Sequence, residues 1–89
     1  MTESTLTISN KLGLHARAAA RFVQLATSFS SDIKLQHEHR KVNGKSIMGV
    51  MMLAASKGTT LTLHAEGDDA EQAIAALSEL VNNKFGEDE

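Results

Sequence analysis

The sequence predicts an α+β fold in which a four-stranded antiparallel sheet carries three helices on one face, an open-faced sandwich. Four segments alternate polar and apolar residues, as half-buried strands do, and three others carry apolar residues at helical spacing. These segments follow one another in the order βαββαβα. Each strand has one apolar face and each helix one apolar stripe, so a single layer of helices buries both.

The four strands are expected at Thr5–Ser9, Ile33–His37, Lys41–Val42 and Thr60–Ala65. A hairpin through residues 38–40 joins the second strand to the third. The opposite face of the sheet carries Thr, Ser, Lys, Gln and His side chains and can meet water. We therefore expect the histidines outside the helices, at positions 37, 39 and 64, to be solvated.

The first two helices have clear starts. The first begins at Ala16, places Phe22 and Val23 on its apolar stripe, and ends at the polar turn 30–32. The second follows Ser46, whose hydroxyl suits the N-cap of a helix. Gly49 lowers helix stability by up to about 1 kcal/mol relative to Ala, so this helix is expected to be short.

The last helix is expected to begin at residues 67–69. Asp69 is placed as its N-cap, with Gln72 three residues later completing a capping box. The apolar stripe runs from Ala73 to Phe85, and Gly86 suits the C-cap. The final residues, 87–89, are acidic and are expected to form a solvated tail.

Composition limits the classes of function. The chain has 89 residues, which suits one domain spanning 1–89 with a thin core and no deep cavity. A formal net charge of −2 and only three aromatic residues argue against a nucleic-acid binder. Without cysteine there is no disulfide, thiolate nucleophile or Cys-based zinc site. No basic, apolar leader or membrane-length apolar run occurs, so we expect a cytoplasmic monomer.

His15 is the strongest candidate for chemistry. It follows a glycine-containing loop and precedes a helix whose first amides, from Ala16 and Arg17, are free to bind an anion. The Arg17 guanidinium can grip phosphate oxygens in a bidentate way. An imidazole is substantially neutral at pH 7 and offers a nucleophilic nitrogen. Residue chemistry alone leaves a second interpretation open, a histidine that makes a structural hydrogen bond at the helix start.

Two motifs resemble those of a known family. Gly-Leu-His-Ala-Arg at residues 13–17 resembles the phosphorylation-site motif of HPr, the histidine phosphocarrier family of the phosphoenolpyruvate-dependent sugar phosphotransferase system. Lys-Ser-Ile-Met-Gly-Val-Met at residues 45–51 resembles the second HPr motif, at the separation that family shows. The order of strands and helices also matches HPr. At residue 18 the chain has Ala where the family usually has Pro, and both residues suit a first helical turn.

The resemblance implies a phosphocarrier that is a protein substrate rather than an enzyme and needs no cofactor. Enzyme I would phosphorylate His15 on Nδ1, and the group would pass to an Enzyme IIA-type acceptor of sugar uptake or of a nitrogen-related regulatory branch. Arg17 and the backbone amides of Ala16 and Arg17 would hold the phosphoryl group. The implied partner surface comprises Ala20, Arg21, Gln24, Ile47, Met48 and Met51.

The role of Ser46 has two interpretations. A helix N-cap is a sufficient structural role, worth about 1 kcal/mol. In a subset of the HPr family, however, the matching serine is phosphorylated by HPr kinase/phosphorylase. The resemblance therefore implies a possible regulatory site at Ser46, where added negative charge suits the helix dipole and would hinder an acidic partner.

The phosphocarrier has two rival functions, and the sequence offers one weak candidate for a metal site. A regulatory binding module of HPr fold, acting through Ser46 and its apolar neighbours, would have no need of His15. A small hydrolase would need a partner acid, base or metal for His15, and the sequence offers none. His37 and His39 share a face of the hairpin, but no further ligands at the spacing of a zinc site accompany them, so no metal is expected.

Overall fold

The computed structural model describes residues 2–89; Met1, the first residue of the expected domain, lies outside the described residues. The strands are β1 (Thr2–Thr7), β2 (Asp32–His37), β3 (Arg40–Asn43) and β4 (Thr60–Glu66). The helices are α1 (Ala16–Thr27), α2 (Ile47–Met52) and α3 (Ala70–Asn82). A 3₁₀ turn at Lys84–Gly86 follows α3.

The four strands form one antiparallel sheet in the order β1-β4-β2-β3. Strand β4 lies between β1 and β2, where Leu63 pairs with Leu35 of β2 and Leu61 with Leu6 of β1. These leucines are buried, because alternation sends them all to the face that the helices cover. The predicted four-stranded antiparallel sheet with three helices is confirmed.

The helices contribute small and large apolar residues to the same core. Phe22 of α1 is buried in the single core cluster to which α3 also contributes, and Val50 is the buried side chain of α2. The small alanines of α1 and α3 let these helices approach closely. The buried positions of the two long helices are Ala18, Ala19, Phe22, Ala26, Ala70, Ala73, Leu77 and Val81.

Two boundaries differ from the prediction. Strand β1 covers residues 2–7 rather than 5–9. Beyond Thr7 the chain leaves the regular ladder, although the Ile8 amide still donates to the Thr59 carbonyl at 2.9 Å. Helix α1 ends at Thr27, a turn before the predicted polar stop, and Phe29 packs against the core from the following loop.

The predicted capping box at α3 is wrong. Asp69 occupies the N-cap position, but its side chain makes no capping hydrogen bond, and Gln72 is exposed. The carboxylate instead accepts hydrogen bonds from the amides of Ser30 and Ser31, at 2.8 and 2.9 Å, and from the Ser31 hydroxyl. Donors from the α1–β2 turn take the place that the helix amides were expected to have.

The C-terminal expectations are also wrong. Helix α3 stops at Asn82, and Phe85 reaches the core from a left-handed backbone conformation with φ of 56° instead of from the helical stripe. Gly86, also at positive φ, closes the 3₁₀ turn and does not cap α3. Glu87 is not part of a solvated tail, because its side chain is 13% exposed and contacts His15.

His64 differs from expectation as well. It was expected to be solvated on the open face of the sheet, yet it is buried. Its Nε2 lies 2.8 Å from Oε1 of Gln36 on β2, and its Nδ1 lies 3.1 Å from the carboxylate of Glu3 on β1. Neighbouring strands on both sides cover the imidazole, which a central position in the sheet makes possible.

Candidate functional site

The loop before α1 is held rigidly from within. The Asn10 side chain, fully buried, donates through Nδ2 to the Gly13 carbonyl at 2.8 Å, and the Gly13 amide returns a bond to the Asn10 carbonyl at 3.2 Å. Gly13 has a φ of +68°, and a Cβ there would lie 2.5 Å from the Ala55 carbonyl oxygen. Leu14 is buried and its amide donates to that same carbonyl at 2.9 Å.

His15 follows this loop as the N-cap residue of α1. Its backbone is extended and its side chain makes no capping hydrogen bond, so the imidazole is not used to cap the first amides of the helix. The first intrahelical bond runs from the Ala19 amide to the His15 carbonyl at 2.9 Å. Among the hydrogen bonds of residues 2–89, none uses the amides of Ala16, Arg17 or Ala18. The helix start thus presents free donors and positive potential beside His15.

The C-terminal segment returns to the imidazole. Oε2 of Glu87 makes a close contact with Nε2 of His15, while Oε1 accepts from Asn10 Nδ2 at 2.9 Å. The His15 side chain is 26% exposed and that of Glu87 is 13% exposed. The backbone of the last residue is fastened too, since the Lys11 amide donates to the Glu89 carbonyl. One nitrogen of the ring is therefore occupied by a carboxylate.

The charges around His15 favour an ionised Glu87. The Asn10 amide, the His15 ring and the positive charge of Arg17 hold the pKa of the Glu87 carboxyl below its usual range, against the opposing effect of partial burial. Arg17 itself is exposed, and within residues 2–89 it has no hydrogen bond or ion pair. Its guanidinium is free for an external anion.

Helix α2 presents a second feature, an exposed apolar surface. The Ser46 hydroxyl accepts from the Gly49 amide at 3.1 Å, which confirms the predicted N-cap, and Val50 anchors the helix to the core. Large apolar side chains face solvent there and in the loop before α1, and this exposed set is called the apolar patch below. It comprises Leu12, Ile47, Met48, Met51 and Met52.

The structure distributes the predicted partner residues unevenly. Ile47, Met48 and Met51 are exposed, as is Gln24 of α1, whereas Ala20 is half-buried. Arg21 is exposed, but its Nη1 donates to the Phe85 carbonyl and so secures the C-terminal turn.

Sequence reasoning missed four residues at or near this site. Leu12 and Met52 are exposed apolar residues, and no periodicity distinguishes an exposed methionine from a buried one. Asn10 and Glu87 form the support of the imidazole. The sequence signal available for Asn10 was its position as a polar residue at the start of a tight loop that contains glycine. The acidic terminus gave no signal that Glu87 contacts the imidazole.

Metal chemistry finds no candidate in the described part of the chain. Within residues 2–89, no three His, Asp or Glu side chains lie close enough together to hold an ion. His39 on the hairpin is exposed and His37 is half-buried. In the same residues no helix is both long and apolar enough to cross a membrane.

An open-faced α+β sandwich with unpaired helix amides beside a partly exposed histidine has the features of a small phosphoryl-carrying protein. Comparison with known proteins gives the family. The family model described as "PTS HPr component phosphorylation site" matches residues 2–83. The phosphocarrier protein HPr of Xylella fastidiosa (strain Temecula1) is 53% identical over 88 residues, covering 99% of each chain.

Solved structures agree with this assignment. A crystal structure of HPr-C-His from Thermoanaerobacter tengcongensis has a TM-score of 0.96 and 55% identity, with both chains covered completely. An HPr dimer from the same organism has a TM-score of 0.79 and 56% identity, covering 98% of this chain and 100% of the other. The chain belongs to the HPr family. It is a phosphocarrier protein of the phosphotransferase system, a protein that carries the group rather than an enzyme.

Proposed function

We propose that His15 is the residue that carries the phosphoryl group and that Nδ1 is the atom that accepts it. The observation that carries this proposal is the position of His15 as N-cap of α1, with its side chain unused for capping and three unpaired amides following it. A phosphoryl group placed there meets hydrogen-bond donors and the positive end of the helix dipole. His15 Nδ1 makes no hydrogen bond within residues 2–89, and so it is available for attack.

Arg17 and the amides of Ala16 and Arg17 hold the phosphoryl group. Arg17 is exposed and free of internal partners, so its guanidinium can form charge-assisted bonds to phosphate oxygens. Because these donors belong to a shallow surface, water reaches the group as well. The phosphoryl group is thus stabilised without being trapped, which a carrier that must release it requires.

Enzyme I is the phosphoryl donor and an Enzyme IIA-type protein the acceptor in this proposal. Both dock on one surface that combines α1 with the apolar patch of α2, two helices that lie in contact. Methionine side chains suit several partners because they repack easily. The docking residues are Ala20, Arg21, Gln24, Ile47, Met48 and Met51. The carrier acts as a cytoplasmic monomer, with residues 1–89 as one domain.

Ser46 is proposed as the regulatory phosphorylation site, with HPr kinase/phosphorylase as its partner. The residue is half-buried, its hydroxyl caps α2, and it directly precedes the exposed Ile47 and Met48. A phosphoserine there brings about −1.5 to −2 charges into the docking surface. Acidic partner surfaces are then repelled without disruption of the fold.

The decisive experiment incubates the protein with Enzyme I and labelled phosphoenolpyruvate. The wild type is expected to take up acid-labile label, while His15→Ala takes up none. His39→Ala is the matched control, because it removes an exposed imidazole of the hairpin. Equal labelling of His15→Ala and the wild type would refute the proposed carrier residue.

A further inference from the structure

The contact between Glu87 and His15 has a chemical consequence for the ring. An ionised carboxylate accepts hydrogen bonds and cannot donate one. The Glu87 carboxyl is ionised at neutral pH, since its neighbours lower its pKa. Nε2 of His15 must therefore carry the proton in the bond to Oε2. In a neutral imidazole, a proton on Nε2 leaves the lone pair on Nδ1.

Asn10 fixes the orientation of that carboxylate. Its Nδ2 has two neighbours, the Gly13 carbonyl at 2.8 Å and Glu87 Oε1 at 2.9 Å, and both are acceptors. Two acceptors determine which end of the amide faces them, because only the nitrogen can donate to both. With Oε1 bound in this way and the Asn10 side chain fully buried, Oε2 is directed at the imidazole.

We propose that Glu87 is a positioning residue, which holds the neutral His15 ring with its proton on Nε2 and thereby makes Nδ1 the nucleophile. This inference rests on the proposed phosphorylation of His15 at Nδ1 and adds a residue to that reaction. In metal sites and in catalytic sites, a functional histidine commonly donates its other ring N–H to a carboxylate. That hydrogen bond sets the tautomer and the orientation of the ring.

The same contact matters during transfer. The lone pair of Nδ1 forms the bond to phosphorus, while the bond between phosphorus and the donor's leaving atom breaks and returns its electron pair to that atom. The proton stays on Nε2, so the ring becomes a cation and Glu87 balances its charge. In the onward step a nucleophile of the acceptor protein forms a bond to phosphorus while the N–P bond breaks, the electron pair of that bond returns to Nδ1, and the ring is neutral again. No proton has to enter or leave the ring.

The first test reads the tautomer directly. Nitrogen-15 NMR distinguishes a ring nitrogen that bears a proton from one that bears a lone pair, and it is recorded at about pH 8.5, where an ordinary imidazole is neutral. Wild-type His15 is expected to show a proton on Nε2, and Glu87→Ala an increased fraction with the proton on Nδ1. Asp88→Asn removes one negative charge from the next, exposed residue and is expected to match the wild type.

Glu87→Gln gives a graded variant. Its side chain offers one acceptor oxygen to two donors, Asn10 and His15, so the tautomer is expected to lie between wild type and Glu87→Ala. The backbone amide spectrum of each variant shows whether the fold is intact. A Glu87→Ala tautomer equal to that of Asp88→Asn would overturn the proposal.

The second test measures the rate of phosphoryl uptake from Enzyme I. Glu87→Ala is expected to be about tenfold slower, in line with losses of other second partners of histidine. A Glu87→Ala rate equal to that of Asp88→Asn would also overturn the inference. His15→Ala, run in parallel, separates the two proposals: if it is labelled, the carrier residue itself is wrong, and if it stays unlabelled while Glu87→Ala is normal, only the role of Glu87 fails.

Discussion

The carboxylate of Asp69 binds the backbone amide of Ser31 at 2.9 Å and so ties the start of α3 to the turn that ends α1. The hydroxyl of Ser31 and the amide of Ser30 bind the same carboxylate. These hydrogen bonds, the Ser31 hydroxyl foremost, lower the pKa of Asp69 from an ordinary 3.8 to about 2. A group with a depressed folded-state pKa stabilises the fold while it is ionised, above the unfolded pKa.

We therefore expect Asp69→Asn to be less stable than wild type at neutral pH, with the difference disappearing as the pH falls from about 4 towards 2. The single amide oxygen of asparagine cannot accept all three hydrogen bonds, and its NH₂ group would face the serine donors without an acceptor. Denaturant unfolding as a function of pH measures the difference. Asp68→Asn is the matched control because Asp68 is exposed. A difference between wild type and Asp69→Asn that persists unchanged at pH 2 would contradict the assignment.

Asp69 also illustrates what sequence could and could not predict. Local patterns lie within one segment, so alternation in β4 and the stripe of α3 were sufficient to predict the elements and the layer of helices. The capping box was also predicted from a local pattern. In the structure, however, the Asp69 carboxylate binds Ser31, which lies 38 positions away in the sequence. The partner of a polar side chain depends on which segments meet, and periodicity carries no information about that.

The candidate site divides in the same way. Its own loop and helix start could be predicted, because Gly13 and His15 are neighbours in a recognisable motif. Glu87 lies 72 residues further along the chain. An acidic terminal tripeptide has no alternation or apolar stripe, so the sequence did not predict that it packs against the site. Its return depends on Phe85, which is buried from a left-handed turn and redirects the chain.

Gly13→Ala is expected to destabilise the protein by about 2 kcal/mol or more, since a positive φ and a backbone clash act together. A Cβ at this position would lie 2.5 Å from the Ala55 carbonyl oxygen. The clash also displaces the carbonyl of Gly13 itself, which accepts a hydrogen bond from Asn10. Because Asn10 supports the site around His15, phosphoryl uptake should fall as well. Thermal or denaturant unfolding and uptake from Enzyme I measure the two effects.

Gly58→Ala provides the control for that experiment. Gly58 also has a positive φ, of +92°, but a Cβ there would meet nothing within 4 Å. It therefore isolates the cost of backbone strain, about 1 kcal/mol, from the cost of the clash. If the two alanine variants unfold at the same denaturant concentration, the contact with Ala55 contributes nothing.

Arg17→Ala is expected to slow phosphoryl uptake roughly ten- to hundredfold, the loss of a hydrogen bond to a charged group worth about 1.5–3 kcal/mol. Its side chain is exposed, so the free energy of unfolding should change by less than about 0.5 kcal/mol. Arg17→Lys should be intermediate, because lysine keeps the charge but loses the bidentate geometry. Rapid-quench measurement of phosphohistidine gives the rates.

Lys41→Ala is the matched control for the loss of a positive charge. Lys41 lies on β3 and is exposed, opposite Gln36 of β2 in the sheet register. Its removal should leave the uptake rate unchanged. Equal slowing by Arg17→Ala and Lys41→Ala would mean that overall charge, rather than a phosphate contact at Arg17, governs the rate.

Ser46 allows capping and regulation to be separated. Ser46→Ala removes the acceptor for the Gly49 amide and should cost about 1 kcal/mol of stability, while phosphoryl uptake stays near the wild-type rate. Ser46→Asp keeps an N-cap acceptor and adds a charge that the helix dipole favours, so its stability should match the wild type.

That added charge directly precedes Ile47 and Met48, two exposed residues of the proposed docking surface. Ser46→Asp is therefore expected to raise the KM of Enzyme I for the carrier, with little change in kcat, because it weakens docking and leaves His15 intact. Steady-state kinetics with a series of carrier concentrations separates the two constants. A fall in kcat at unchanged KM would place the effect of position 46 on the transfer step and contradict a docking surface around α2.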